Sequence, residues 1–318
     1  MQSTSRKMTC LPILLTMLIS THTIRAQTPP PRSSPYLSQK PPALVPQVFA
    51  PNLVSQTDYY EYGSIFSKQG REFFYAVIVN AKPQIRCIRF ENKAWTSPIT
   101  LLASDQYEYN DPFLSPDESR LYFISDRATD GKGPKKDFDI WYIERKKDGW
   151  SKLPINAGSG INSAKNEYYM SFTKTGTMYF SSNGGTSSST DKNYDIRFSP
   201  YINGTFQASR KLSHAVNSAH YEADVFVSPN EDYLIFCAER PGGFGNGDLY
   251  ISFKSKTGEW QQAKNMGPAI NTKGYEFCPF VTAEGKYFFF SREGDIYWVS
   301  AAVIDGLRKA ISLRVRAS

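Results

Sequence analysis

DPFLSPDESRLYFISDR (111–127), followed after a polar loop by DIWYIERKKDGW (139–150), decides the fold. Aromatic and β-branched residues mark each run as a short strand, and SPDES and KKDG carry the Ser, Pro, Asp and Gly of tight turns. The same phrase returns as YMSFTKTGTMYFSS with YDIRFSPYINGTF, as ADVFVSPNEDYLIFCAER with GDLYISFKSKTGEW, and as CPFVTAEGKYFFFSRE with GDIYWVS. A degenerate first copy reads GSIFSKQGREFFYAV with IRCIRFENKAW. Anchored on the last aromatic of the second strand, the copies fall at Tyr75, Phe123, Phe180, Phe236 and Phe290, spaced by 48, 57, 56 and 54 residues.

A period near fifty with four short strands per copy means that one sheet cannot bury both of its faces alone, so neighbouring sheets must stack. The expected architecture is an all-β propeller spanning 52–300, with five blades and six as the alternative. The last copy lacks the Trp-bearing outer strand, while VFAPNLVS ahead of the first resembles the strand exits KLSHAVNS and NMGPAINT. The N-terminal strand is therefore expected to complete the last blade and close the ring, leaving no sheet edge open. The tail 301–318 is expected to form a short helix from near Ile304 or an added strand.

The phrases SPDESRLYFISDR and SPNEDYLIFCAER, with the strand starts DIWY, DLYI and DIYW, resemble the WD40-like PD40 repeats of the TolB-type β-propeller family. The resemblance covers 59–300. It implies a periplasmic or secreted propeller of the kind that envelope and surface-glycan systems use for binding. A counterpart of the family's separate α/β domain is not expected in 27–56, which is too short to hold it, so the complete TolB role is not expected to carry over.

Ahead of the repeats, Arg6 and Lys7, the apolar run LPILLTMLIS and small residues to Ala26 have the layout of an export signal (1–26). That run is too short for a bilayer-spanning helix, and no transmembrane span is expected after signal removal. The segment 27–51 is proline-rich and reads as an extended spacer. The full chain has 318 residues, 40% hydrophobic and 14% aromatic, which excludes a disordered or fibrous protein. Losing Arg6, Lys7 and Arg25 with the leader lowers its +7 charge to +4. That is too little, and too scattered, for a nucleic-acid binder. Four Cys and three His exclude a disulfide scaffold and leave little for a histidine metal site. No metal or cofactor is expected, with Ca²⁺ as the alternative.

The repeats also nominate residues. Asp139, Asp195, Asp248 and Asp295 open the third strands and read as turn and strand-start hydrogen-bond acceptors; Trp95, Trp150, Phe206 and Trp260 read as covers for adjacent blades. Glu61, Tyr109, Glu167, Glu222 and Glu276 recur on the innermost strand. Two residues later, on the same face, stand Gly63, Asp111, Tyr169, Asp224 and Cys278. The repeated Glu reads first as a blade-to-blade contact, whereas Asp111 and Asp224 break the repeat.

Two functions follow. The first is a non-catalytic binding protein for a glycan or an envelope or surface protein. Its ligand sits on the face carrying the long loops, with Arg127, Lys135, Lys136, Lys192, Arg240 and His214 on a cationic rim. The alternative is a carbohydrate hydrolase or lyase using Asp111, Glu167, Asp224 and Glu276, with His220 in proton transfer. GGFGNG (242–247) joins two strands and lacks a Walker Lys, and neither GxSxG nor HExxH occurs. Cys87, Cys237 and Cys278 read as buried thiols, with a Cys237–Cys278 bridge as the alternative.

Overall fold

The computed structural model describes residues 35–184 and 193–317, with side chains as far as residue 310. The leader (1–26) and Lys192 lie outside them. Five antiparallel four-stranded blades surround a channel. From channel to rim, blade 1 is Tyr60–Phe66, Glu72–Val79, Lys82–Glu91 and Ile99–Leu102; blade 2 is Asn110–Leu114, Arg120–Ser125, Asp139–Lys146 and Ile155–Asn156. Blade 3 is Glu167–Phe172, Met178–Ser182, Asp195–Ser199 and Arg210–Lys211; blade 4 is Tyr221–Val227, Tyr233–Glu239, Asp248–Phe253 and Lys264–Asn265. Blade 5 joins Glu276–Val281, Tyr287–Arg292 and Asp295–Ser300 to the N-terminal strand Gln47–Val48.

The five anchors are equivalent in register: Tyr75, Phe123, Phe180, Phe236 and Phe290 face Arg86, Trp141, Arg197, Tyr250 and Tyr297. All are buried between blades. The outer aromatics explain why the sheets must stack. Trp150 of blade 2 meets Phe74 of blade 1 edge-on at 5.8 Å, Phe206 of blade 3 meets Tyr122 of blade 2 at 6.4 Å, and Trp260 of blade 4 meets Tyr179 of blade 3 at 6.3 Å. Each cover therefore lies on the preceding blade. Trp95 instead packs within its own blade, against Phe90.

Blade 5 has no such cover to lay on blade 4. The C-terminal helix, Ala302–Ala317, takes its place, with the Arg308 guanidinium over Phe253 at 4.4 Å and paired with Asp232 at 2.8 Å. The helix begins two residues before the expected Ile304, whose side chain is buried.

Closure runs through Gln47 and Val48, opposite Trp298 and Tyr297. The three strand exits that resemble one another in sequence share one bonding role. Ser55, Asn217 and Asn271 accept from the backbone N–H of Ile296, Ile196 and Leu249, the second residue of a third strand in each case.

The spacer boundary at 51 needs correction. Tyr36 packs on Phe66 and Tyr287, and Phe49 is wholly buried among Phe66, Phe73, Phe289 and Trp298. Its aromatic rings bury as core residues do, and that packing fixes the segment to the propeller. All three described cysteines are buried and free, so the Cys237–Cys278 bridge is not formed.

Candidate functional site

The innermost strands all break step at one level. Gly63, Asp111, Tyr169, Asp224 and Cys278 each have positive φ, between 29° and 53°, and the pairing of every inner strand shifts there. A bulge turns an extra residue out of the ladder. Repeated five times around the ring, it brings these residues together and plugs the channel. Asp111 Oδ1 lies 3.4 Å from Cys278 Sγ, which donates to it, and the Tyr169 hydroxyl crosses from blade 3 to the Pro279 carbonyl of blade 5 at 2.9 Å. Of these five positions Gly63 has the least room: a Cβ there would stand 2.5 Å from Asp111 Oδ1.

Asp111 and Asp224 thus share the plug, while Glu167 and Glu276 do not join them. Both plug carboxyls are buried, and desolvation holds each well above the usual carboxylate range, with mutual repulsion adding for Asp224. Among the described residues, no group of three or more His, Cys, Asp or Glu is arranged to hold a metal ion.

The repeated glutamates sit closer to the loop face and work as loop clamps. Glu167 accepts from the backbone N–H and hydroxyl of Ser163, at 3.0 and 2.7 Å, and Glu222 and Glu276 do the same with Ser218 and Thr272. In blades 4 and 5 an arginine joins the clamp. Arg240 and Arg292 donate to Glu222 and Glu276 at 2.9 and 2.7 Å, and their guanidinium groups lie over Tyr250 and Tyr297. Glu61 and Glu167 form no such ion pair among the described residues, and burial pushes each up to about 7. The signal missed in the sequence is a longer phrase, Asn-Ser/Thr-x-x-x-Glu, at 162–167, 217–222 and 271–276. Its Asn162, Asn217 and Asn271 both accept from and donate to one backbone unit of a third strand.

The rim is less cationic than its composition implies. Lys135 is paired with Asp126 at 2.6 Å and Glu108 at 2.7 Å, Arg240 is inside the Glu222 clamp, and Arg127 lies over Trp141 at 5.0 Å. Lys136 and His214 are exposed.

Aromatic rings dominate the loop-face mouth. Phe138, Tyr168, Tyr194 and Tyr221 follow one another at 5.2, 5.4 and 5.6 Å between centroids, and Tyr275 lines the same mouth beside Tyr221. The arc continues through Phe277 and Tyr62 to Tyr60, at 5.8, 6.2 and 5.9 Å. Between blades 3, 4 and 5 it bounds a cavity of about 580 Å³ that also exposes His220, Asn193 and Glu239. Burial raises the phenols of Tyr168, Tyr194, Tyr221 and Tyr275, and the Asp224 carboxyl beneath adds to each shift. These hydroxyls therefore stay protonated and able to donate at neutral pH.

A scan against protein-family models finds no match, and neither does a search of curated proteins. Among solved structures, the chain is similar to a putative TolB from Agrobacterium tumefaciens, at 14% identity over 74% of this chain and 71% of that one, with a TM-score of 0.48. It is also similar to a chain of a nidogen/laminin complex, at 13% identity over 76% of each with a TM-score of 0.48. TolB from Acinetobacter baumannii follows at 14% identity, with 75% of this chain matching 53% of that one and a TM-score of 0.46. Among the described residues, no helix is long and apolar enough to cross a membrane.

Proposed function

We propose that this chain is an exported, non-catalytic binding propeller whose loop-face mouth takes a neutral glycan. The observation that carries the reading is the arc of tyrosines around the 580 Å³ cavity. Sugar rings present apolar C–H faces and a hydroxyl rim. Tyr168, Tyr194 and Tyr221 offer ring faces to the first, and their hydroxyls, with Asn193, His220 and Glu239, offer donors and acceptors to the second. The volume falls within the ordinary range for small-ligand sites. A neutral sugar suits the rim better than an acidic one, because Lys135 and Arg240 are already paired.

Export rests on the signal-like leader, and N-terminal sequencing of the secreted or periplasmic protein tests it: a mature start at Gln27 is expected, and retention of the leader in the cytoplasm refutes it. Calorimetric titration with a panel of neutral and acidic oligosaccharides tests the ligand. Saturable binding of a neutral member, weakened about tenfold or more by Tyr221→Ala, is expected. Product analysis of the same mixtures addresses the alternative. Cleavage that disappears in Asp224→Asn and Asp111→Asn assigns the plug carboxyls a catalytic role and overturns the non-catalytic reading.

A further inference from the structure

The opposite end of the channel has a different chemistry. All five short turns between first and second strands meet there around a recess of about 290 Å³. Every inner strand contributes an aromatic: Phe66, Phe113, Phe172, Phe226 and Phe280. Phe113 and Phe226 each meet Phe280 nearly at right angles, both at 6.1 Å, and Phe113 meets Tyr169, the plug residue, at 6.2 Å. The walls and floor are thus hydrocarbon, and the floor is sealed by the bond from Tyr169 to blade 5.

Charge enters only at the rim. Lys68 and Lys174 line the recess from blades 1 and 3. Lys68 donates to the Pro116 carbonyl and Lys174 to Asn230 Oδ1 at 3.0 Å, and neither has a carboxylate partner among the ion pairs of the described residues. Each ammonium carries three N–H groups, so both retain donors. Glu118 is the acid on this rim, and its Oε1 accepts from the backbone N–H of Lys68 at 2.5 Å. An apolar well with two unneutralised ammonium groups at its lip is complementary to an apolar chain that ends in an anion.

We infer that the turn-face recess is a second binding site, for a free medium-chain carboxylate whose hydrocarbon enters the phenylalanine well while Lys68 and Lys174 hold its head group. A cavity of about 150 Å³ accommodates benzene, so this one admits a chain of roughly ten carbons. The site stands at the other end of the channel from the glycan mouth and does not depend on that reading.

Calorimetry of the full mature chain with sodium decanoate, kept below its micelle threshold, tests the inference. One saturable site is expected, and shortening the acid to hexanoate weakens binding about fourfold per methylene removed. The double variant Lys68→Glu, Lys174→Glu reduces affinity at least about tenfold while its thermal midpoint stays near that of the parent. Ala283→Trp, at the exposed lip of the recess, blocks binding without touching the core. Absence of saturable decanoate binding overturns the site. Equal binding of decyltrimethylammonium, or undiminished binding in the double glutamate variant, overturns the role of the lysines. Capture by anionic lipid vesicles without binding of free decanoate replaces it with a membrane contact and overturns it equally.

Discussion

The two ends of the channel are built from the same five strands, yet one is lined by tyrosines and the other by phenylalanines. The difference follows from what each end must anchor. At the loop end the chain leaves one blade for the next, so side chains there clamp long connections: Glu167, Glu222 and Glu276 hold Ser163, Ser218 and Thr272, and polar aromatics tolerate the water that long loops admit. At the turn end four-residue turns close on themselves, as when Ser228 accepts from the backbone N–H groups of Asp232 and Tyr233. Little there needs a polar partner from the channel, and hydrocarbon fills the space. A propeller can therefore offer two recognition chemistries on one axis.

The loop end is the easier to break. Arg292→Leu leaves the fully buried Glu276 carboxylate without its cation, and removing one partner of a buried pair costs about 3–5 kcal/mol. Urea unfolding is expected to show that loss for Arg292→Leu and for Arg240→Leu. The retained turn end predicts that decanoate affinity, measured well below the unfolding midpoint, changes less than about twofold. A loss below about 1 kcal/mol denies the clamp its structural weight.

The plug ties the two ends together. Gly63→Val places a branched side chain at φ 50° and against Asp111, and strain plus overpacking is expected to cost about 2–4 kcal/mol. Unlike the arginine variants, it should disturb both binding sites, and a variant that weakens one alone separates them. How much of this was legible in the sequence divides along the same line. Blade number, anchor positions and ring closure were readable, because each is a repeated contact and repetition leaves a period. The convergence of Asp111 with Asp224 was readable as a shared face, but the bulge that turns them inward was not, since Asp, Tyr, Gly and Cys at those positions share no turn signature. The glutamates were visible as a repeat, yet their role needed the Asn-Ser/Thr ahead of them. The tyrosine arc left a partial trace: Tyr60, Tyr221 and Tyr275 each precede a repeated Glu, Tyr62, Tyr168 and Phe277 each follow one, and Phe138 and Tyr194 precede a third-strand Asp, but only the fold shows that these positions meet from blade to blade.

Acidity offers a milder test of the plug. Unfolded, its two carboxyls titrate near pH 4. Folded, burial keeps them protonated to higher pH, as it does Glu61 and Glu167, each pushed up to about 7. The folded state then binds more protons than the unfolded one between about pH 4 and neutrality, so stability is greatest at the acidic end of that window and declines as pH rises through it. Asp224→Asn, uncharged throughout, should flatten the decline by on the order of 2 kcal/mol across the window, measured as the urea midpoint against pH. A parent whose stability rises from pH 5 to 7 contradicts the buried pair.

The smallest effect is confined to one end. Tyr194 stands between Tyr168 and Tyr221 in the arc, and its hydroxyl accepts from Asn166 Nδ2 at 3.0 Å without supporting any strand. Replacing it by Ala removes one ring face from the glycan mouth, expected to weaken an oligosaccharide about tenfold, or roughly 1.4 kcal/mol. Stability should move by less than about 1 kcal/mol and decanoate affinity not at all. The reciprocal variant, Lys174→Glu, should spare the sugar and weaken the carboxylate. If Tyr194→Ala weakens both ligands alike, the plug transmits between the ends, and the channel behaves as one coupled site rather than as two independent mouths.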